Sequence, residues 1–112
     1  MSLVTERIEN NVLYLELNGR IDSSNADQAE ELIKAIKEAH PDLQSVLDAE
    51  NLEYLSSAGL RVVLRMRKDT ADLKIINVST EVYEILDMTG FTDMLTVEKA
   101  FRRLSVDGCE VI

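Results

Sequence analysis

Apolar residues are spaced along this chain in two alternating patterns, and the alternation is what most restricts the fold. Residues 3–8 and 12–17 have the spacing of strands, and the polar residues 9–11 between them predict a tight turn. From Ser24 onward, stretches with helical spacing alternate with short apolar runs. Such an alternation requires a largely parallel sheet with right-handed crossovers. The N-terminal hairpin adds an antiparallel pair, so the predicted sheet is mixed.

The whole pattern predicts an α/β fold with the order β-β-α-β-α-β-α-β-α, about five strands and about four helices. The strands are expected at 3–8, 12–17, 43–47, 73–78 and 94–97, and the helices start at Ser24, Ser57, Ser79 and Lys99. No repeat or linker interrupts the 112 residues, which predicts a single domain, 1–112. The apolar ending at residues 108–112 resembles the start of a strand, which leaves open that the natural chain continues.

Polar residues mark where the helices begin and end. Ser24 is a predicted N-cap, with Asp27 three residues later in the capping-box position. Pro41 stops the first helix, because proline disfavours a helical conformation in the residue before it. In the third helix, Ser79 is the predicted cap and Gly90 the residue that follows the helix end.

The apolar faces of the later helices follow from the same spacing. Leu60, Val63 and Leu64 are expected to face the core. Val62 and Met66 lie off that stripe, so they either touch a neighbouring helix or form an apolar surface spot. Three basic residues share another face, namely Arg61, Arg65 and Lys68. In the third helix Val82, Ile85, Leu86 and Met88 are expected to point inward.

Charge and composition exclude several classes of function. The net charge of −9 and the pI near 4.5 argue against nucleic acid and against an anionic membrane surface as partners. No apolar run approaches the roughly 18 residues of a membrane span, so direct insertion is not expected. One histidine, His40, is too few for a multi-histidine metal site, and no cofactor is predicted. The lone Cys109 excludes an intrachain disulfide and fits a reducing cytoplasm.

The candidate functional residues lie between Leu47 and Lys68. A predicted strand and an acidic loop, residues 48–51, lead into Ser56 and Ser57 at the start of a helix. Such a hydroxyl pair can be a cap, a nucleophile, a phosphate-binding site or a phosphate acceptor. A hydrolase would need a general base and a G-x-S-x-G turn, and the sequence offers neither near this helix. Glycine-rich nucleotide-binding patterns are also missing from the sequence.

Three loops are expected where predicted strands enter helices, the edge at which open α/β sheets tend to bind ligands. They are residues 19–24, 48–57 and 78–80, and the first two carry Asp22 and Asp48. The plainest interpretation of the second loop is structural. One serine caps the helix, and small residues after it let the helix approach its strand closely. A cap and a phosphate acceptor are compatible, since the helix N-terminus favours a dianion.

Three spaced pieces of the sequence resemble the STAS domain family, named for sulfate transporters and anti-sigma factor antagonists. Residues 19–26 are similar to the family's G-x-[LI]-D loop, and residues 46–60 to its strand and D-S-[SA]-G-L helix start. Residues 79–91 are similar to its third helix, which ends in [ST]-G-[LF]. Together the pieces span nearly the whole chain, and they are most similar to bacterial anti-sigma factor antagonists.

The resemblance implies a non-enzymatic regulator that is switched by phosphorylation. In such antagonists the serine after the aspartate is phosphorylated by an anti-sigma factor that is also an ATP-dependent serine kinase, and that position falls on Ser57. The unphosphorylated form binds the anti-sigma factor and releases a sigma factor, and a serine phosphatase restores it. Here Ser56 stands where the family has aspartate, which makes Ser56 an alternative acceptor.

The resemblance also implies a partner-binding surface around the loop acid Asp22. The expected partner-binding residues are Asp22, Ser23, Ser24, Ser56, Ala58, Gly59, Arg61 and Val62. A homodimer is left open. Two other functions are also left open at this point: a STAS module that regulates an attached transporter, kinase or phosphatase, and a domain that binds a small anion or a nucleotide.

Overall fold

A computed structural model of the chain describes residues 2–100. Its elements, in chain order, are β1 (Val4–Glu9), β2 (Val12–Ile21), α1 (Ala26–Ala39), β3 (Gln44–Leu55), α2 (Ser57–Asp69), β4 (Lys74–Val78), α3 (Thr80–Met88), a 3-10 turn (Phe91–Asp93) and β5 (Thr96–Lys99). The predicted α/β order is confirmed, with three α-helices in this range where about four were expected over the whole chain. The predicted helix 99–104 was wrong at its start, because Lys99 ends β5. Its remainder and residues 108–112 lie outside the described residues.

The five strands form one mixed sheet in the order β1-β2-β3-β4-β5. β1 is antiparallel to β2, and each later pair is parallel, as the sequence predicts. The predicted turn between β1 and β2 is confirmed. Asn10 and Asn11 both have left-handed backbone angles, with φ of 52° and 64°. Asparagine tolerates this conformation better than other side chains, and two such residues suit the twist of a tight hairpin.

The predicted cap residues of α3 are confirmed, whereas the predicted N-cap of α1 is wrong. The side chain of Ser79 accepts a hydrogen bond from the N–H of Val82, and Gly90 has φ of 84°, as expected after a helix end. In α1, however, the N-cap residue is Asn25, and the Ser24 prediction was wrong. The helix begins at Ala26, one residue later than a Ser24 cap requires, and the Ser24 hydroxyl donates to the carboxylate of Asp22 at 2.6 Å.

β2 and β3 are both longer than predicted. β2 continues past Gly19 to Ile21, with irregular pairing at residues 16–20. β3 runs through the predicted acidic loop at 48–51, so that loop does not exist. The strand can continue because the carboxylate of Asp48, which is only 2% exposed, has an ion-pair partner and a hydrogen-bond donor inside the sheet. Its oxygens accept hydrogen bonds from Arg7 Nη1 at 3.1 Å and from Asn77 Nδ2 at 3.1 Å.

The core lies between the sheet and the helices. α1 and α2 pack over β2 and β3, and the gap left between them has a volume of about 10 Å³, roughly that of one water molecule. The buried face of α2 includes Val62 and Met66, so the alternative that they form a surface spot is wrong. Leu64, which was expected to face the core, is only half-buried at its edge.

The apolar face of α3 is narrower than predicted. Val82 and Leu86 are fully buried, whereas the side chain of Met88 is 82% exposed. The inward placement of Met88 was wrong, because two residues beyond Leu86 the helix has turned by about 200° and the side chain points away from the sheet.

Candidate functional site

The loop after β2 and the start of α2 lie side by side at one edge of the sheet. The last residues of the two strands, Ile21 and Leu55, are paired in parallel. The N–H of Ser56 then donates to the carbonyl oxygen of Ile21 at 2.9 Å. This bond joins the two loops, so two of the three predicted strand-end loops meet at one place.

The third strand-end loop and Asp48 lie elsewhere. β4 pairs with β3 only at Leu47 and Asp48, so the loop after β4 lies beside the middle of β3 and not at its end. Asp48 is seven residues before Leu55, which corresponds to about 23 Å along an extended strand. The sequence placed Asp48 and Ser57 in one loop, 48–57, and this prediction was wrong, because β3 separates the two residues.

The two serines at the start of α2 have different roles. The hydroxyl oxygen of Ser56 accepts hydrogen bonds from the N–H groups of Ala58 at 3.2 Å and Gly59 at 3.4 Å. Ser56 is thus the N-cap that satisfies the free donors of the first turn. Ser57 is the first residue of the helix, and its side chain is exposed. The prediction that one serine caps the helix is confirmed, and the other hydroxyl faces solvent.

Gly59 sets the distance between α2 and the end of β2. A Cβ atom at this position would lie 3.0 Å from the carbonyl oxygen of Ile21 and 2.9 Å from Cδ2 of Leu55. A larger residue would force these neighbours to shift, which agrees with the sequence interpretation that small residues after the cap let the helix approach its strand closely. Gly59 is itself buried, so it positions the site without presenting a side chain to a partner.

Replacement of Gly59 by alanine is expected to lower the free energy of unfolding by about 1–2 kcal/mol. Overpacking costs about 1–3 kcal/mol, and the better helix propensity of alanine returns up to about 1 kcal/mol. The cost should prevail because the backbone carbonyl of Ile21 is held in place by the hydrogen bond that it accepts from the N–H of Ser56. Urea denaturation measures the difference. Ser57→Ala, at an exposed position two residues away, is the control and should change stability by less than about 0.5 kcal/mol. A Gly59→Ala protein as stable as the native one would contradict the close contact.

The loop between β2 and α1 is held by its own side chains. The carboxylate of Asp22 accepts hydrogen bonds from the hydroxyl of Ser24 at 2.6 Å and from its N–H at 2.9 Å. These bonds lower the pKa of Asp22, so the loop carries a negative charge at neutral pH. The side chain of Asn25 accepts from the N–H of Asp22 and donates to the carbonyl of Arg20. Ser23 and Ser24 are exposed beside it.

Asn25 was missed by the sequence interpretation, which read the serine before it as the cap. A signal was available, since asparagine readily bonds to nearby backbone groups in turns. The loop is therefore pre-arranged, with the side chain of Asp22 held in one orientation at the edge where α2 begins.

An acidic residue of α1 neutralises part of the positive charge on the exposed face of α2. Arg65 forms two hydrogen bonds with the carboxylate of Glu30, Nε to Oε2 and Nη2 to Oε1, both at 2.7 Å. The guanidinium lowers the pKa of Glu30, and the pair joins the two helices. Arg61 and Lys68 remain exposed on the same helix. Val62 is 3% exposed and packs into the core, so as a partner-binding residue it was misplaced.

The model of the STAS domain family matches residues 3–104 of the chain. The chain belongs to the STAS domain family. BtrV of Bordetella bronchiseptica, provisionally named an anti-sigma factor antagonist, is 33% identical over 102 residues, which cover 87% of this chain and 85% of BtrV. Within the family, the match is therefore to the anti-sigma factor antagonist type.

Solved structures show the same fold for this STAS protein. A Thermotoga maritima protein, also provisionally named an anti-sigma factor antagonist, superimposes with a TM-score of 0.75 at 15% identity and covers 86% of each chain. The anti-sigma factor antagonist SpoIIAA in its unphosphorylated form superimposes with a TM-score of 0.67 at 15% identity, over 84% of this chain and 86% of SpoIIAA.

The chemistry of the STAS site is that of a surface hydroxyl and its charged surroundings. Over residues 2–100 the structure groups no three His, Cys, Asp or Glu side chains in a way that could hold a metal ion. In the same range no helix is long and apolar enough to cross a lipid bilayer. The one histidine, His40, caps the far end of α1 and contacts Glu6, so it is not near Ser57.

Proposed function

We propose that this STAS protein is a phosphorylation-switched regulator that binds an anti-sigma factor with serine kinase activity and thereby releases a sigma factor. The observation that carries the proposal is that the two serine hydroxyls have different environments. Ser56 is occupied as the helix cap, and Ser57 presents an exposed hydroxyl on the residue after it, at the edge where the Asp22 loop leaves β2. Its relationship to BtrV supports the class of partner.

Ser57 is the acceptor in this proposal, and Ser56 is the less accessible alternative. In the transfer, the Ser57 oxygen attacks the γ-phosphorus of ATP and a new P–O bond forms. The bond from that phosphorus to the β-phosphate oxygen breaks, ADP leaves, and a base of the kinase takes the hydroxyl proton. The acceptor needs no base of its own, which agrees with a regulator that is a substrate and not an enzyme.

The phosphate acts by charge at the contact. It adds about −1.5 to −2 charges at neutral pH on a chain whose net charge is already −9. The dianion lies at a helix N-terminus, which stabilises it within this protein, and beside Asp22, which adds to the repulsion of an acidic partner. The partner is displaced without any change of fold, and a serine phosphatase in the cytoplasm restores the binding form.

The proposed partner surface combines the loop and the exposed start of α2. It consists of Asp22, Ser23, Ser24, Ser56, Ala58 and Arg61, all exposed or half-buried. Gly59 and Val62 are left out, because both are buried. Gly59 contributes by position alone, since it lets the surface approach the end of β2.

Incubation with ATP and a kinase-type anti-sigma factor from the same genome is expected to add one phosphate, on Ser57. Mass spectrometry of proteolytic fragments locates it. Ser57→Ala should remove the modification, and Ser56→Ala, which loses the cap, should retain it on Ser57. Because loss of an N-cap costs about 1 kcal/mol, the Ser56→Ala protein should remain folded. Phosphate on Ser56 alone would reassign the acceptor, and no phosphate on either serine would contradict the proposed switch.

A further inference from the structure

Among the five arginines in residues 2–100, one is without a partner inside the described fold. The other four each contact an acceptor or an aromatic ring: Arg7 with Asp48 and Glu16, Arg20 over the ring of Tyr54, Arg65 with Glu30, and Arg67 with the carbonyl oxygen of Met94. Arg61 is exposed on α2 and makes no hydrogen bond, ion pair or aromatic contact with residues 2–100. A free guanidinium is notable in a chain with 21 acidic residues.

Arg61 lies one helical turn after Ser57. Residues four apart on a helix have Cβ atoms about 5–6 Å from each other, and an acidic group N-terminal to a basic one is the favourable orientation. The first turns of α1 and α3 contain the acidic residues Asp27 and Glu81, whereas the first turn of α2 contains none. The position from which a carboxylate would pair with Arg61 is therefore occupied by the hydroxyl of Ser57.

Other cations of α2 are further away or already paired. Arg65 is two turns from Ser57, about 12 Å along the helix axis, and its Nε and Nη2 atoms are both hydrogen-bonded to Glu30. Lys68 is about 16 Å along the axis. Arg61 is the one basic side chain of the helix within reach of a group attached to Ser57.

We infer that Arg61 is the internal counter-ion of a phosphate on Ser57. The inference rests on the proposed function, because it requires Ser57 to be the acceptor. Arginine suits the role because its planar guanidinium donates two parallel hydrogen bonds to a phosphate. The pair changes two features of the surface at once: an anion appears at Ser57, and the cation of Arg61 is withdrawn from the proposed partner surface.

The sign of the charge at this end of α2 is thereby reversed. Before modification the exposed turn carries the single positive charge of Arg61. Afterwards the phosphate and the guanidinium together carry about −0.5 to −1. A partner that uses an acidic group to bind Arg61 loses that contact even where the phosphate itself remains in solvent, so the switch does not depend on repulsion alone.

The inference is tested with phosphoserine installed at position 57 during translation, which needs neither kinase nor partner. The second pKa of the phosphate is measured by ³¹P NMR titration in the native background, in Arg61→Gln and in Lys68→Gln. A nearby cation favours the dianion, so removal of Arg61 should raise this pKa by about 0.5 unit. Loss of the distant Lys68 should change it by less than about 0.1 unit.

The titration shows whether Arg61 is the counter-ion of the phosphate. An equal pKa in the native and Arg61→Gln proteins would overturn the inference, and so would equal shifts in the two glutamine variants, which would indicate an effect of net charge. Arg61→Lys keeps the charge and should retain most of the lowered pKa, which guards against a folding artefact of the glutamine variant. The titration uses no kinase. If an anti-sigma kinase failed to phosphorylate Ser57, the proposed function would be rejected, but the measured effect of Arg61 on the phosphate pKa would stand.

Discussion

Ser57→Asp is expected to weaken the complex with a kinase-type anti-sigma factor at least a hundredfold, whereas Ser57→Ala should bind as the native protein does. A hundredfold loss corresponds to about 2.7 kcal/mol. Like charges that face each other across an interface cost several kcal/mol, so one added carboxylate opposite an acidic group of the partner is sufficient. Titration calorimetry with the purified partner measures the effect. Because exposed charges are screened by salt, part of the affinity should return when the ionic strength is raised.

The matched control is Ser57→Asn, which has nearly the shape of aspartate without its charge. It should bind within a few-fold of the native protein if charge decides the outcome. Loss of binding by Ser57→Asp cannot come from unfolding, because an acidic residue in the first turn of a helix is stabilising by about 0.3–1 kcal/mol. Equal affinity of the alanine, asparagine and aspartate variants would remove Ser57 as the control point of the switch.

The features predicted well from the sequence are those decided by neighbouring residues. The hairpin turn depends on Asn10 and Asn11 themselves, which tolerate left-handed backbone angles. The start of α2 likewise depends on a hydroxyl and the N–H groups two and three residues later. What the sequence left open was which serine does the capping. The hydrogen bonds of Ser56 decide this, and they leave Ser57 as the exposed hydroxyl.

The errors concern residues whose environment comes from distant parts of the chain. Asp48 was assigned to a loop, yet it lies inside a strand, where a carboxylate is costly unless it is paired. Its partners Arg7 and Asn77 are 41 and 29 positions away, and no local pattern indicates that they meet. The prediction that Val62 contacts a partner failed for a related reason. α2 is covered by both the sheet and α1, so its buried face is wider than the stripe that a single neighbour would require.

Asp48→Ala is expected to lower the free energy of unfolding by about 3 kcal/mol. Removing one member of a buried ion pair costs about 3–5 kcal/mol, and the lower end applies because the side chain of Arg7 is 33% exposed and can recover some hydration. The change also leaves Asn77 Nδ2 and the N–H of Glu50 without their acceptor. The melting temperature should fall by about 15 °C, as measured by calorimetry or circular dichroism.

Two further variants separate a buried pair from general surface charge. Glu9 also pairs with Arg7, at 3.2 Å, but its side chain is 57% exposed, so Glu9→Ala should change stability by less than about 0.5 kcal/mol. The double variant Arg7→Leu/Asp48→Leu removes both charges, and apolar replacement of a buried pair is often neutral or stabilising. It should therefore be more stable than Asp48→Ala, although it has lost more polar contacts. If Glu9→Ala and Asp48→Ala were equally stable, Asp48 would not be the carboxylate that holds β1 to the middle of the sheet. Because Asp48 is about 23 Å from the end of β3, phosphate acceptance by Ser57 should persist in each variant that remains folded.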